Sequence, residues 1–393
     1  MNLSNSPGSF SRIALILAIG LFSLTAAAYS QPQGPYEKRV PLIYGTDLFH
    51  PHDDPDDHLD LANLFAIPEI DVKGIILDLG LRQQKKPGKV PVEQMIALTG
   101  RRFPYAIGLA EQLKDPDDKG LNQPQEFQGG AELLLKILRE SDQPVNMLFA
   151  GSVRDLAAAY NRDPNLLRQK TSSIHINIGN SQVGGTEWNV TLDPQAYRKV
   201  MSSGLPIYWY PCLPMVNEWS AHWRLERYGD VMASAPLRLQ NFFLYMLHQV
   251  DTVEIDPLEA LKMDLRPWRK LLWNKPKGMW CTASLIQVAG RKILKAGDGG
   301  TMGGEGHQDW VAVPPSYQGD KKEEVAFSFV PTSVELHPDG KTAKIDRNVH
   351  SSNTKVIHVP NPELYARIMT CCLLNLYQDF TGQWPIPTAS EKR

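Results

Sequence analysis

Val40-Pro41-Leu42-Ile43-Tyr44-Gly45-Thr46-Asp47 leads through Leu48-Phe49-His50-Pro51-His52-Asp53-Asp54-Pro55 into Asp56-Asp57-His58-Leu59-Asp60-Leu61-Ala62-Asn63-Leu64-Phe65-Ala66. The first part reads as an extended apolar run and the last as a helix. Between Thr46 and Asp60 six carboxylates and three histidines crowd one connection. Carboxylates at such density repel one another unless a cation, a proton or solvent intervenes. Placed where a strand hands over to a helix, they suggest a hard-metal site, because oxygen-rich ligand sets suit Ca²⁺ or Mg²⁺. The plain alternative is a solvated acidic loop.

Outward from this stretch, β-like and helical runs alternate as far as Tyr210. Strands are expected at 40–46, 71–77, 145–150, 173–178 and 206–210, with a weaker one at 104–107. Helical patterns fall at 57–67, 91–99, 130–140, 153–161 and 193–202. Such alternation predicts an α/β fold, a mostly parallel sheet with helices on both faces and a Rossmann-like topology. Ligands in these sheets bind outside the carboxyl ends of the strands, which points to the loops after 46, 77, 150, 178 and 210. The acidic cluster occupies the first of them.

Beyond Tyr210 the pattern is less regular. Residues 236–250 read as an amphipathic helix, and a tryptophan-rich, proline-punctuated stretch runs from Pro257 to Trp280. Six glycines occupy 297–306, just before His307-Gln308-Asp309. No Lys-Ser/Thr follows them, which argues against a phosphate-gripping loop; a surface loop or an active-site flap remains. Extended segments are expected near 325–330 and 342–346, and a helix from 361 to 380.

The formal charge of −2 is spread without a basic block, which argues against a nucleic-acid partner. At the N-terminus Arg12 precedes an apolar run, Ile13 to Leu24, and small-residue sites follow at Ala26-Ala27-Ala28 and Ala28-Tyr29-Ser30. Residues 1–30 therefore read as a signal peptide of a secreted or periplasmic protein, and 31–393 as one domain. An uncleaved anchor is the alternative, although the run is short for a spanning helix. Cys212, Cys281, Cys371 and Cys372 lack zinc-site spacing. Export would permit a Cys212–Cys281 disulfide, while the Cys371-Cys372 pair fits helix packing.

The Asp56-Asp57 pair, its helix, Pro68-Glu69-Ile70 and the strand through Gly74-Ile75 together resemble the inosine–uridine nucleoside hydrolase family. A second match, Thr186-Glu187-Trp188-Asn189-Val190 with Asp193-Pro194, is similar to the family's ribose-gripping segment. Ala150-Gly151-Ser152 after a strand is a third, weaker match. The resemblance covers residues 40–210 well and the rest loosely. It implies Ca²⁺ held by Asp47, Asp57 and the Ala150 carbonyl. Asp47 would be the catalytic base, with Asp56 facing sugar and water and serving as the fallback base. Asp53 or Asp54 could take Asp47's place, because the loop is longer than the family's turn. Glu187 and Asn189 would bind the sugar; two residues apart, they would point the same way on an extended backbone.

The departures are as specific as the matches. Where the family carries a late His-Asp pair, the best register places Met279-Trp280 or Trp280-Cys281. One expected metal carboxylate and one general acid are thereby missing, with Asp298, Glu305, Asp309 and His307 as possible stand-ins. The family's asparagine after the second strand is replaced by Leu81, with Asp78 nearby. Of His50, His52 and His58, at most one is expected to touch substrate. Trp188 and Trp209 could stack on a base or sugar, though large aromatics more often fill cores.

The expected function is hydrolysis of the N-glycosidic bond of a small-molecule ribonucleoside by metal-activated water. Its rivals are a non-catalytic sugar- or nucleoside-binding protein on the same scaffold and a hydrolase of another glycoside. A homo-oligomer is compatible with the sequence.

Overall fold

In the computed structural model, residues 39–50, 56–79, 83, 88–182, 186–247, 255–296, 309–339, 343–378 and 380 are described. The expected signal peptide, Asp53, Asp54, Leu81, His52, Asp298, Glu305, His307 and the glycine-rich stretch lie outside these residues.

The first half follows the expected alternation: β1 (Val40–Thr46), α1 (Asp56–Ala66), β2 (Ile70–Leu77), α2 (Lys89–Thr99), β3 (Tyr105–Ile107), α3 (Gly129–Glu140) and β4 (Val145–Ala150). Then come α4 (Arg154–Arg162), α5 (Pro164–Lys170), β5 (Thr171–Asn177), α6 (Trp188–Leu192), α7 (Pro194–Met201) and β6 (Ile207–Tyr210). The second half contributes β7 (Trp223–Leu225), α8 (Gly229–Met232), α9 (Leu237–Leu247), α10 (Pro257–Ala260), α11 (Arg269–Leu272), β8 (Lys277–Met279) and α12 (Thr282–Val288). It ends with β9 (Lys292–Lys295), β10 (Trp310–Val313), β11 (Ser328–Pro331), β12 (Ser333–Leu336), β13 (Ala343–Asp346), β14 (Thr354–His358) and α13 (Pro362–Gln378).

Eight strands form one sheet in the order β11-β14-β6-β5-β4-β1-β2-β3. All neighbours are parallel except β11, which runs antiparallel to β14. Alternate residues of the central strands enter opposite cores, as the two-residue period requires. Leu42, Tyr44 and Leu148 join one core with α1, α9 and α13. Ile43, Met147 and Phe149 join the other with α3, α4 and α7. The strands are thus apolar on both faces, as a helix-covered parallel sheet demands.

α1 occupies a central place, touching α2, α9, α12 and α13. From Asp57 to Ala66 every residue of it is buried, including Asp57, Asp60 and Asn63. The acidic pair in its first turn is favoured by the positive end of the helix dipole. α13 holds Cys371 and Cys372 in the core as free thiols.

Candidate active site

One cavity of about 420 Å³ opens at the carboxyl ends of the central strands. Asp47 follows β1, Gln83 the β2 segment, Ala150 ends β4, Asn177 ends β5, and Cys212 and Leu213 follow β6; all line it. The loops picked out from topology alone thus converge on one chamber. α1 adds Asp56, Asp57 and Asp60, the segment entering α6 adds Glu187, Trp188 and Asn189, and the segment after β8 adds Trp280 and Cys281.

The close approach of β1 and β4 depends on Gly151. A Cβ there would meet the Asp47 backbone nitrogen at 2.8 Å and the Asp47 Cβ at 3.0 Å. The Asp47 N–H donates to the Ala150 carbonyl across 3.1 Å. Thr46 Oγ1 donates to Asp57 Oδ1 at 3.1 Å and accepts from the Leu48 N–H, tying the end of β1 to the start of α1. Trp188 Nε1 donates to Asp47 Oδ2 at 3.1 Å, and Gln83 Nε2 donates to the Asp47 carbonyl at 2.5 Å. Lys277 Nζ lies 3.5 Å from Asp56 Oδ1.

The segment carrying Glu187 and Asn189 is not extended as expected. Glu187 is the N-cap of α6, and its carboxylate accepts from the backbone N–H groups of Gly179, Asn189 and Val190 at 2.8, 2.9 and 3.0 Å. An N-cap acceptor satisfies helix-start donors that would otherwise be orphaned, and this outweighs the pull toward extension. Gly179 makes the same turn possible: its φ is +89°, and a Cβ would meet the Tyr197 hydroxyl at 2.5 Å. Asn189 sits in the first turn and donates from Nδ2 to the Asn177 carbonyl at 2.8 Å.

Burial, then the charges of Asp57 and Asp78, raise the Asp47 carboxyl well above its usual range, against the hydrogen bond from Trp188. Burial, then Asp57, Asp60 and Asp47, do the same for Asp56. Asp60 is raised by burial and by Asp57, opposed by a hydrogen bond from Cys281. Glu187 rises to about 6 because of burial, restrained by its backbone donors. Burial and the neighbouring carboxylates push both Cys212 and Cys281 upward, which keeps them thiols rather than thiolate nucleophiles.

Several sequence expectations need correction. Cys212 and Cys281 both line the cavity but are free, not bridged. Asp78 does not take the place of the missing amide. It is buried away from the cavity, accepting from the Ser152 N–H at 2.8 Å with Arg154 Nη1 at 3.8 Å. Gln83 brings a side-chain amide to the chamber from the same loop, a residue the sequence reading passed over. Asp309 lies outside the cavity, 3.9 Å from Arg367 Nη2. Trp209 is a core residue donating to the Ile178 carbonyl, whereas Trp188 is 50% exposed at the cavity. His50 stacks on Tyr245 and His58 packs near Phe242; neither lines the chamber.

The acidic side chains are oxygen donors of the kind a hard cation takes, and the Cys281 thiol is a weak donor to Asp60. Among the described residues no three His, Cys, Asp or Glu side chains gather closely enough to enclose an ion. The carboxylates line a wall rather than a closed cage.

The model of the inosine-uridine preferring nucleoside hydrolase family matches residues 43–258, more than half of the chain. A pyrimidine-specific ribonucleoside hydrolase RihA of Enterobacter sp. (strain 638) is 29% identical over 188 residues, covering 43% of this chain and 58% of that protein. The RihA of Escherichia coli O1:K1 / APEC is 27% identical over 229 residues, covering 52% and 71%. Among solved structures, the purine-preferring ribonucleoside hydrolase from Gardnerella vaginalis superposes with a TM-score of 0.51 at 13% identity, over 86% of this chain and 99% of that one. The plant nucleoside hydrolase PpNRh1 gives 0.52 at 14%, over 85% and 99%. These structures share the fold, and the matched segment carries the acidic pair and the Glu-Trp-Asn-Val segment found in the cavity wall. The chain belongs to the inosine-uridine preferring nucleoside hydrolase family.

Proposed function

We propose that the protein hydrolyses the N-glycosidic bond of ribonucleosides. The observation that carries this reading is the meeting of Asp47, Asp56, Asp57 and Asn189 in one chamber of a chain of this family. Water would attack the anomeric carbon of the ribose while the bond to the base breaks, without a covalent sugar intermediate. Asp47 is the base that takes the water's proton, and Asp56 faces the sugar and that water. The Asn189 amide binds a ribose hydroxyl. Glu187, whose carboxylate accepts from the backbone N–H groups of Gly179, Asn189 and Val190, would hold a second hydroxyl beside it. Calcium held by Asp47, Asp57 and the Ala150 carbonyl would lower the pKa of a bound water and orient it.

No histidine lines the chamber among the described residues, so the reading favours bases that depart with little help from an acid. A second reading, a binding protein without catalysis, draws on the donors already seated on the carboxylates: Trp188 on Asp47 and Lys277 beside Asp56. One assay separates them: ribose release from purine and pyrimidine ribonucleosides and from p-nitrophenyl riboside, in Ca²⁺ or in EDTA. Calcium-dependent release is expected. Tight nucleoside binding without release by folded protein would replace the hydrolase with the binding protein.

A further inference from the structure

A second cavity, of about 450 Å³, lies at the amino ends of β4, β5, β6 and β14, the end of the sheet away from the chamber. Its floor follows from the strand register. Asn146 of β4 pairs with Ser173 of β5, His175 with Tyr208 of β6, and Tyr208 with Lys355 of β14. Neighbouring strands lie ~4.8 Å apart, so the four span roughly 14 Å. Gln287, near the end of α12, lines the cavity from outside the sheet.

The polarity of this floor is not what a helix-covered parallel sheet needs, since such strands are apolar on both faces. On the opposite face the same four strands carry Met147, Ile174, Ile207 and Val356 into an apolar core. On this face Asn146, Ser173 and His175 break the rule, and they hold one another in place. Ser173 Oγ donates to Asn146 Oδ1 at 2.7 Å and lies 2.9 Å from His175 Nε2, while His175 Nδ1 lies 2.9 Å from the Tyr210 hydroxyl. Ser173 has one hydroxyl hydrogen and gives it to Asn146, so His175 donates from Nε2 and accepts from Tyr210 at Nδ1. The His175 ring stacks on Tyr208 with centroids 4.8 Å apart, and burial lowers its pKa to about 3, so it brings no charge.

The charge comes from Lys355. Its Nζ lies 5.4 Å from the centre of the Tyr208 ring, and among the described residues no carboxylate pairs with it. No Asp or Glu lines the cavity among those residues either. An ammonium without a counter-charge, set among hydroxyls and amides, suits an anion that also carries hydroxyls.

We propose that this cavity binds a small hydroxylated anion of the sugar-phosphate or sugar-acid kind. Lys355 takes the anionic group, and the Gln287 amide and the Ser173 oxygen meet the hydroxyls. The site is separate from the chamber and stands whether or not the chamber hydrolyses nucleosides.

The test is calorimetry on the full chain without added Ca²⁺, using ribose 5-phosphate and gluconate as probes. At least one is expected to bind, and the tighter of the two tells phosphate from carboxylate. Lys355→Met should weaken that binding by about 10-fold or more, the loss of a charge-assisted hydrogen bond. Asn189→Ala, in the chamber, should leave it unchanged. Failure of folded wild-type protein to bind either probe overturns the proposal. So does wild-type affinity in Lys355→Met, and so does a loss in Asn189→Ala alone, which would place the anion in the chamber. Inorganic phosphate bound as tightly as ribose 5-phosphate would remove the role of the hydroxyls. Should Lys355→Met not fold, Gln287→Ala carries the test, and an unchanged affinity there rejects the site.

Discussion

Trp188 Nε1 donates to Asp47 Oδ2 across 3.1 Å, joining the segment that presents Asn189 to the end of β1. The two residues are far apart in sequence, and one hydrogen bond makes the sugar-facing segment and the candidate base a single unit.

Trp188→Phe keeps an aromatic ring at the cavity and removes the donor. A hydrogen bond to a charged group contributes ~1.5–3 kcal/mol, so kcat on p-nitrophenyl riboside should drop by about 10-fold or more. KM should change less, because the ring surface remains. A wild-type kcat in this variant would remove Trp188 from the positioning of Asp47.

Asn189→Ala should weaken ribose and nucleoside binding by about 10-fold, the loss of one to two hydrogen bonds at ~1 kcal/mol each. Ca²⁺ affinity should stay at the wild-type value, because the amide faces Asn177 and the chamber rather than the carboxylates. Calorimetry with ribose and with Ca²⁺ reads both. Equal ribose affinity would take Asn189 out of the site.

Arg154 is 2% exposed and gathers the loops behind the chamber. Its Nε donates to Asp193 Oδ2 at 2.9 Å, and its other nitrogens donate to the carbonyls of Leu79, Leu109 and Leu192. Arg154→Met would strip the counter-charge from Asp78 and Asp193. Leaving buried carboxylates unpaired costs ~3–5 kcal/mol, which urea denaturation should record. Arg154→Lys should recover only part, since one ammonium cannot span all these acceptors.

Asp155, buried beside the Leu109 N–H, is raised to about 7, chiefly by burial and then by Asp78. A folded-state pKa above the unfolded one means that the folded chain binds the extra proton. Its stabilising effect is complete below the unfolded value and is lost as pH rises through 7. Asp155→Asn removes this dependence, so its stability relative to wild type should improve from pH 4 to pH 8, by up to about 4 kcal/mol. A difference between the two proteins that stays flat over this range would contradict the protonated state.

The alternation from Val40 to Tyr210 was legible because short extended runs such as Val40–Thr46 and Val145–Ala150 are separated by segments of helical pattern. β14 was not, and the extended segment expected near 325–330 gave no sign that it would join the sheet as β11, for both strands enter across long sequence gaps and the pairing of Thr354 with Ile207 leaves no local trace. The acidic pair and the Glu-Trp-Asn-Val segment could be read as site elements from their motifs. The backbone between Glu187 and Asn189 could not, although an acidic residue before Trp-Asn-Val is itself an N-cap signal. Gln83 and Lys277 escaped notice for a common reason. Each matters through what it faces across the fold, and a sequence shows side chains without their partners. The polar segment around Gln83 was the available hint.

The half-exposed Trp188 and the neighbouring Trp280 give the chamber its own optical probe. Trp209, Trp223 and Trp310 are buried in the cores and should emit as a constant blue background, whatever enters the cavity. Among the described tryptophans, Trp188 alone joins solvent, cavity and the candidate base. Its fluorescence should therefore report arrival of a nucleoside directly, with no label attached, so that binding can be timed separately from bond cleavage.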